Sequence, residues 1–366
     1  MIKLLVVDDS ALVRKLLGGI FASEPDFSVS FARNGREALE LLPKVEPDVV
    51  TLDVHMPEMD GLTCLDRIMA ERPCPVVMVS SLTAQGADAT LRALDLGAVD
   101  FVPKPSGAIS LEIDRIAPVI VQKVRLAAET PIRKSLRLAE RVRARVRAFE
   151  SRAPAPRIAA GRSPALPSRP IHRPRPGSGA VLVGCSTGGP PALDTLLSQL
   201  PADFPLPVVV AQHMPASFTA ALARRLDGLC ALSVVEVTRP MPLEPGHVFI
   251  ARGDADALLS SRAGEPFVLT APASPAYLWH PSVDRMVASA LEFMDPAGVV
   301  GVLMTGMGRD GAEAMTRLHQ GGGRTIAEAE ETAVVWGMPG ELVKAGGADF
   351  VEPVHLIPQR LLALVA

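Results

Sequence analysis

A chain of 366 residues, 48% hydrophobic and 21% charged, has room for two ordinary domains and the make-up of a folded globular protein rather than a disordered one. Its net charge of -3 excludes the whole chain as a nucleic-acid binder. Four cysteines show no C-x-x-C or His/Cys metal spacing, which points to a reducing compartment and no disulfide framework.

The first residues, Met1 to Asp9, carry acids where a signal peptide would continue its apolar core. No uninterrupted apolar run is long enough to span a bilayer, so a cytoplasmic protein with no membrane insertion is expected. Aromatic residues make up only 4%, so the cores must be mostly aliphatic.

Leu4 to Val7 reads as a buried strand that ends in Asp8-Asp9, and Ala11 to Ala22 as a helix. A strand from Ser28 to Arg33 and a helix from Gly35 to Leu42 follow. Asp48 to Leu52 is a strand ending in Asp53, Val76 to Val79 one ending in Ser80-Ser81, and Phe101-Val102 one running into Pro103-Lys104-Pro105. The alternation predicts a parallel sheet with helices on both faces and its site at the carboxyl ends of the strands.

Asp8, Asp9 and Asp53 converge there, with Ser80 and Lys104 nearby. Three clustered carboxylates repel one another unless a cation lies between them, and an oxygen-only donor set suits Mg2+. Asp53 can then serve as a nucleophile towards a phosphoryl group, with Lys104 neutralising the incoming charge and Ser80 bonding the phosphoryl oxygens. An acid after a strand is often only a helix cap, and for Asp8 alone that is the better reading; five polar residues at strand ends point instead to a site.

Val7-Asp8-Asp9-Ser10, Leu52 to Gly61 (Leu-Asp-Val-His-Met-Pro-Glu-Met-Asp-Gly), Val79-Ser80-Ser81 and Val102-Pro103-Lys104-Pro105 together resemble the receiver domain of two-component response regulators, over residues 1–123. The resemblance implies a five-stranded doubly wound domain, phosphorylated on Asp53 by a histidine kinase. It also implies Mg2+ held by Asp8, Asp9, Asp53 and the backbone carbonyl of His55.

Residues 124–178 read as a linker. From Val124 to Ala148 the pattern is helical and arginine-rich, broken by Pro131; from Arg152 to Gly179 it is a Pro/Arg/Ser/Ala/Gly segment without periodicity. Between 125 and 178, 13 Arg and one Lys against three Glu give a local net of +11, which leaves -14 for the rest of the chain. A solvated spacer of adjustable reach is the favoured reading, and a docking strip for an acidic surface or nucleic acid the alternative.

The third segment, 179–366, opens with an apolar strand from Ala180 to Val183 that breaks into Gly184-Cys185-Ser186-Thr187-Gly188. A G-x-S-x-G turn after a strand lifts a serine clear of the sheet as a nucleophile. The same glycine-rich turn before a helix can instead hold a phosphate, and the pentapeptide alone does not separate the two. Cys185 is a third candidate nucleophile, although a cysteine ending a buried strand is more often packing.

A helix from Pro191 to Leu200 follows, then strands at Pro207–Ala211, Ser233–Val237, Val248–Ala251, Phe267–Thr270, Val299–Met304 and Arg324–Ala327, with a helix at Ala312–Gln320. A second, mostly parallel α/β sheet is expected. Ser186, His213 and Asp310 each follow a buried strand and so surface on one edge. A serine hydroxyl needs a base to take its proton, a histidine serves near neutral pH, and an aspartate fixes the imidazole tautomer. Asp254 and Asp284 are alternatives to Asp310. The order Ser, His, Asp differs from the Ser, Asp/Glu, His order of α/β-hydrolases.

Gly184 to Pro190, Gln212-His213-Met214-Pro215, Pro245 to Ala251, His280-Pro281-Ser282-Val283-Asp284, Met304 to Gly311 and Glu331 to Gly340 are similar to the catalytic domain of chemotaxis protein-glutamate methylesterases. That family places such a domain after a receiver. The resemblance implies a cofactor-free esterase with Ser186 as nucleophile, His213 as general base and Asp310 as its orienting partner. Thr187 then lies beside the nucleophile, and the Met307 N–H helps hold the oxyanion. Implied partners are methyl-accepting chemotaxis receptors as substrate and a chemotaxis histidine kinase as phosphodonor. The resemblance also implies deamidation of particular receptor glutamines by the same acyl chemistry.

Overall fold

The computed structural model describes residues 1–81, 83–104, 113–130 and 179–365. Pro105 and the connector from 131 to 178 lie outside the described residues.

Strands β1 (Ile2–Val7), β2 (Phe27–Ala32), β3 (Val49–Asp53), β4 (Val76–Ser80) and β5 (Asp100–Pro103) form a wholly parallel sheet in the order β2-β1-β3-β4-β5. Helices α1 (Ala11–Ala22), α2 (Gly35–Val45), α3 (Gly61–Glu71), α4 (Ala84–Leu96) and α5 (Ile113–Glu129) alternate with them. Four of these helices start where the sequence supplies a capping oxygen. Ser10 accepts from the Val13 N–H, Asn34 from Glu37, Asp60 from Thr63 and Thr83 from Gly86. α1 buries Val13, Leu17, Ile20 and Phe21, a helical spacing that turns one stripe to the sheet. α5 runs past the expected boundary at 123. Val124 and Ala127 are fully buried with Leu4, Val6 and Phe21, so the packed domain reaches at least Ala127.

The second domain is built on seven parallel strands in the order β15-β14-β13-β6-β7-β10-β8. They are β6 (Ala180–Cys185), β7 (Val208–Gln212), β8 (Ser233–Val237), β10 (His247–Ala251), β13 (Val299–Leu303), β14 (Arg324–Glu328) and β15 (Phe350–Glu352). Its helices are α6 (Gly189–Leu197), α7 (Ala216–Asp227), α8 (Val283–Leu291), α9 (Ala312–Gln320), α10 (Met338–Lys344) and α11 (Ile357–Val365). The helix after the serine turn begins two residues earlier than the expected Pro191, because Pro190 and Pro191 are tolerated in a first turn that needs no N–H from them.

The strand expected at Phe267–Thr270 does not join the parallel sheet. It belongs to β12 (Glu265–Pro272), which pairs antiparallel with β11 (Ala255–Arg262) and β9 (Met241–Pro242). The turn Ala263-Gly264, with φ of 54° and 87°, has the twist that closes a two-residue hairpin.

The order of the large sheet reverses beside β6. The chain steps to β7 on one side and later returns to β13 on the other, which opens a crevice at the carboxyl ends of these three strands. Residues of both domains share one apolar cluster. At the junction, Phe101 of β5 stacks on Phe218 of α7 with centroids 4.5 Å apart and planes 21° apart. An aromatic pair contributes about 0.5–1.5 kcal/mol beyond the area it buries. Beside it, Arg225 of α7 donates to the Leu91 carbonyl (3.1 Å) and to Asp95 (2.5 Å) of α4, and pairs also with Asp194 of α6.

Candidate active site and phospho-acceptor site

In the first domain the strand ends bring the expected residues together. Ligand oxygens of Asp8, Asp9 and Asp53 lie within 4.8 Å of one another. Lys104, just past β5, reaches Asp53 at 2.7 Å, Asp8 at 3.2 Å and Asp9 at 3.9 Å. Burial pushes the Asp8 carboxyl up, and the charge of Asp53 adds to that. Burial likewise raises Asp53, although the Lys104 hydrogen bond opposes it. Burial alone would lower the Lys104 ammonium, but its bonds to Asp53 and Asp8 outweigh that and hold it above its ordinary value.

Crowded, half-desolvated carboxylates of this kind are relieved by a divalent cation, so the donor set fits Mg2+. The buried Oδ2 of Asp8 faces the Lys104 ammonium at 3.2 Å, so the carboxylate cluster is partly neutralised by that lysine. The His55 N–H points back at Asp53 Oδ1 from 3.4 Å. Ser80 ends β4 fully buried, its hydroxyl donating to the Gly86 carbonyl at 3.2 Å.

In the second domain Ser186 follows β6, His213 follows β7 and Asp310 follows β13, around the crevice. Cys185 and Gln212 are register partners, so Ser186 and His213 leave adjacent strands side by side. The His213 N–H donates to the Cys185 carbonyl at 3.1 Å. Gln212 fastens the two turns: its amide donates to the Ser186 carbonyl at 2.9 Å and to the His213 carbonyl at 3.2 Å. Gly188 takes φ of 78°, a left-handed turn that a side chain would strain. A Cβ at position 306 would sit 2.8 Å from Ser186 Cβ, so only glycine lets the β13 turn, with Met307 next in line, press against the serine.

His213 Nε2 lies 2.8 Å from Asp310 Oδ2. The other donors to that carboxylate come from the start of α8: the N–H of Val283 (2.7 Å), the N–H of Asp284 (3.0 Å) and the Ser282 hydroxyl (3.0 Å). Burial raises the Asp310 carboxyl, but the bonds from His213 and the helix start outweigh it and hold it below the usual range. An ionised Asp310 takes Nε2–H, which leaves His213 Nδ1 as a bare lone pair. That nitrogen is buried and has no hydrogen-bond partner. The ring is thus oriented, and Nδ1 could accept a proton.

Asp254 and Asp284 are placed elsewhere. Asp254 accepts from the Ala216 N–H (3.1 Å) and Asp284 from the Ala314 N–H (2.9 Å). His280 and His319 are held by Asp256 and Asp349, at 2.9 Å and 3.0 Å. Cys185 is fully buried, and burial pushes its thiol up, which favours packing over attack. Among the described residues, the Met307 N–H has no backbone carbonyl partner outside the helices and strands. Thr305 hangs the serine turn from the β13 loop, with its carbonyl accepting from Ser186 N–H (2.9 Å) and its hydroxyl donating to the Thr187 carbonyl (2.8 Å).

The contributions of Gln212, Thr305, Ser282 and Trp279, which lies flat on His213, had no separate signal in the sequence. Only the cap position of Ser282 ahead of an apolar helix could have been read in advance.

The two domains meet at this crevice. Asp100, the first residue of β5, accepts from the Thr187 hydroxyl at 2.5 Å, and Lys123 of α5 braces the same carboxylate at 3.0 Å. Ser186 is only 3% exposed.

A phospho-acceptor domain docked on an α/β domain with a serine-hydrolase arrangement of side chains is the class that fold and site define. The family described as CheB methylesterase matches residues 181–361, and the response regulator receiver domain matches residues 4–113. The chain is 59% identical over 362 residues to protein-glutamate methylesterase/protein-glutamine glutaminase 2 of Rhodopseudomonas palustris, covering 99% of this chain and 98% of the relative. It is 53% identical over 363 residues to protein-glutamate methylesterase/protein-glutamine glutaminase 3 of Rhodospirillum rubrum, covering 99% and 96%. The crystal structure of the Thermotoga maritima CheB methylesterase catalytic domain is similar at 40% identity with a TM-score of 0.50, covering 52% of this chain and 99% of that one. The chain belongs to the CheB methylesterase family, with the receiver domain at its N-terminal end. No described helix is long and apolar enough to cross a membrane.

Proposed function

We propose that this chain is a phosphorylation-controlled, cytoplasmic protein-glutamate methylesterase and protein-glutamine glutaminase acting on chemoreceptors. The observation that carries the reading is the half-assembled relay: His213 fixed by Asp310 through Nε2, its Nδ1 buried and without a partner, and Ser186 at the end of the adjacent strand.

Ser186 Oγ attacks the ester carbonyl of a γ-glutamyl methyl ester while His213 Nδ1 takes its proton. The carbonyl oxygen gains the charge, and the Met307 N–H stabilises it. Return of the proton to the methoxy oxygen releases methanol and leaves an acyl-serine. His213 then takes a proton from water, which attacks the acyl carbonyl, and the proton passes back to Ser186 as glutamate leaves. With a glutamine side chain the first leaving group is ammonia. An amide is the harder substrate, so deamidation is the slower of the two.

Control enters at Asp53, whose carboxylate accepts a phosphoryl group from the phosphohistidine of a chemotaxis kinase. Mg2+ held by Asp8, Asp9, Asp53 and the His55 carbonyl neutralises phosphoryl oxygens when bound. Lys104 and Ser80 hold the phosphoryl group, and in doing so shift β5 and its Asp100 away from Thr187. The docked receiver, with Ser186 shielded, is the resting form.

Methanol release from methylated receptor, with and without a small phosphodonor, tests this. Wild type releases methanol and accelerates with the phosphodonor; Ser186→Ala, folded by circular dichroism, releases none. Hydrolysis that survives Ser186→Ala removes the proposal.

A further inference from the structure

The imidazole of His213 is held on two sides, and only one of them is acidic. Asp310 takes the Nε2 edge. The face is covered by the indole of Trp279, with ring centroids 5.4 Å apart and planes 10° apart. Trp279 sits in the segment between β12 and α8, and both ends of that segment are tied to one carboxylate. Asp256 of β11, 0% exposed, accepts from the Ser274 N–H (3.3 Å), the Ser282 N–H (2.8 Å), His280 Nδ1 (2.9 Å) and Arg285 Nη1 (2.5 Å).

Burial pushes Asp256 up, but the bonds from His280, Ser282 and Arg285 outweigh it and hold the carboxyl below its usual range. A buried, ionised carboxylate that takes no part in the acyl chemistry is thus spent on fixing one surface loop. The indole edge also faces the oxyanion turn: a Cβ at position 308 would lie 3.6 Å from Trp279 Nε1.

We propose that Trp279 is a positioning residue of the hydrolytic centre and that Asp256 is the buried clamp holding it against His213. The inference rests on the reading of His213 as the base. A flat ring stacked on the imidazole blocks rotation about its Cβ–Cγ bond, so Nδ1 stays aimed at the serine proton. The indole face also favours the imidazolium formed when that proton arrives. A tryptophan serving only as apolar filler would be buried; this one is half-buried at the rim.

The test uses the full chain with phosphodonor and methylated receptor. Trp279→Ala lowers kcat about 10-fold or more with KM little changed, as expected when a reacting group loses its alignment. Trp279→Phe, which keeps a flat ring, recovers most of the loss. Asp256→Asn lowers kcat to a similar degree, and the Trp279→Ala/Asp256→Asn double variant is no worse than Trp279→Ala, because the two act through one contact. Leu278→Ala, which removes the neighbouring 80% exposed side chain, leaves kcat unchanged.

Tryptophan emission gives a readout independent of turnover. The stacked imidazole perturbs it, so His213→Gln changes emission in the wild-type background and not in Trp279→Phe. Wild-type kcat in Trp279→Ala, additive losses in the double variant, or emission indifferent to His213→Gln would each overturn the proposal. Full activity in His213→Gln would instead remove the reading beneath it, while the emission change would still report the stack.

Discussion

Asp310 earns its place through the company it keeps. Its carboxylate gathers a ring nitrogen, two helix-start N–H groups and a hydroxyl, so a buried charge is fully satisfied. Asp310→Asn keeps the shape but offers an amide where a charge was. We expect a loss of kcat on the order of 10⁴-fold, the cost of the wrong tautomer at a triad aspartate, with an unchanged far-UV spectrum. An intact kcat would show that the ring is oriented by something else. Asp284, next to it, behaves in the opposite way. Burial, with the Asp310 charge adding, pushes its carboxyl up to about 6 from 3.8. Folding therefore favours the protonated form. Stability from this group is present below about pH 4 and is lost as pH rises through about 6. Asp284→Asn still accepts the Ala314 N–H and removes that slope. Its Tm should exceed wild type at pH 7.5 by a few degrees, on the order of 2–4 °C per kcal/mol, and should not exceed it at pH 4. At this scale the sequence was informative where chemistry concentrates at strand ends: Ser186, His213, Asp53 and Lys104 all lie where apolar runs stop. The choice among Asp254, Asp284 and Asp310 was not legible from spacing, because it depends on which carboxylate the start of α8 faces across the crevice.

Elements show the same division. Buried parallel strands such as Val49–Asp53 and Val208–Gln212 are short apolar runs and stood out at once. The hairpin of β11 and β12 did not, since Ala255–Arg262 mixes small and polar residues without clean alternation and takes its order from Asp256 and the neighbouring helix. Nor could the sequence reveal that α4 and α7 lie against each other, for their contact is settled by tertiary packing. That contact makes a prediction. Arg225, mostly buried, joins α7 to α4 through Leu91 and Asp95. Arg225→Ala should weaken the resting form by 1–2 kcal/mol, roughly a 5- to 30-fold change in the ratio of docked to undocked receiver. Methanol release without phosphodonor should rise accordingly. Arg224→Ala should change little, because its pair with Asp88 is 63% exposed on both sides. Equal basal rates in the two variants would argue that the Arg225 contacts do not hold the domains together.

For the molecule as a whole, the receiver and the esterase are one continuous body at rest, with a shared apolar cluster and a hydrogen bond from Thr187 to Asp100. On the proposed reading, regulation is a competition between two uses of β5. Asp53→Ala leaves the resting contact intact, so basal methanol release should match wild type while the phosphodonor no longer accelerates it. Equal acceleration of Asp53→Ala would place the acceptor elsewhere.

β5 is four residues long, Asp100–Pro103. At about 3.3 Å per residue it spans roughly 13 Å. One end borders the lysine that grips Asp53, and the other holds the hydroxyl beside Ser186. On the proposed reading, this one short strand would join the phosphorylated end to the shielded serine. The memory of each stimulus would then last as long as one aspartyl phosphate survives, and a cell would tune adaptation through the chemistry of that bond.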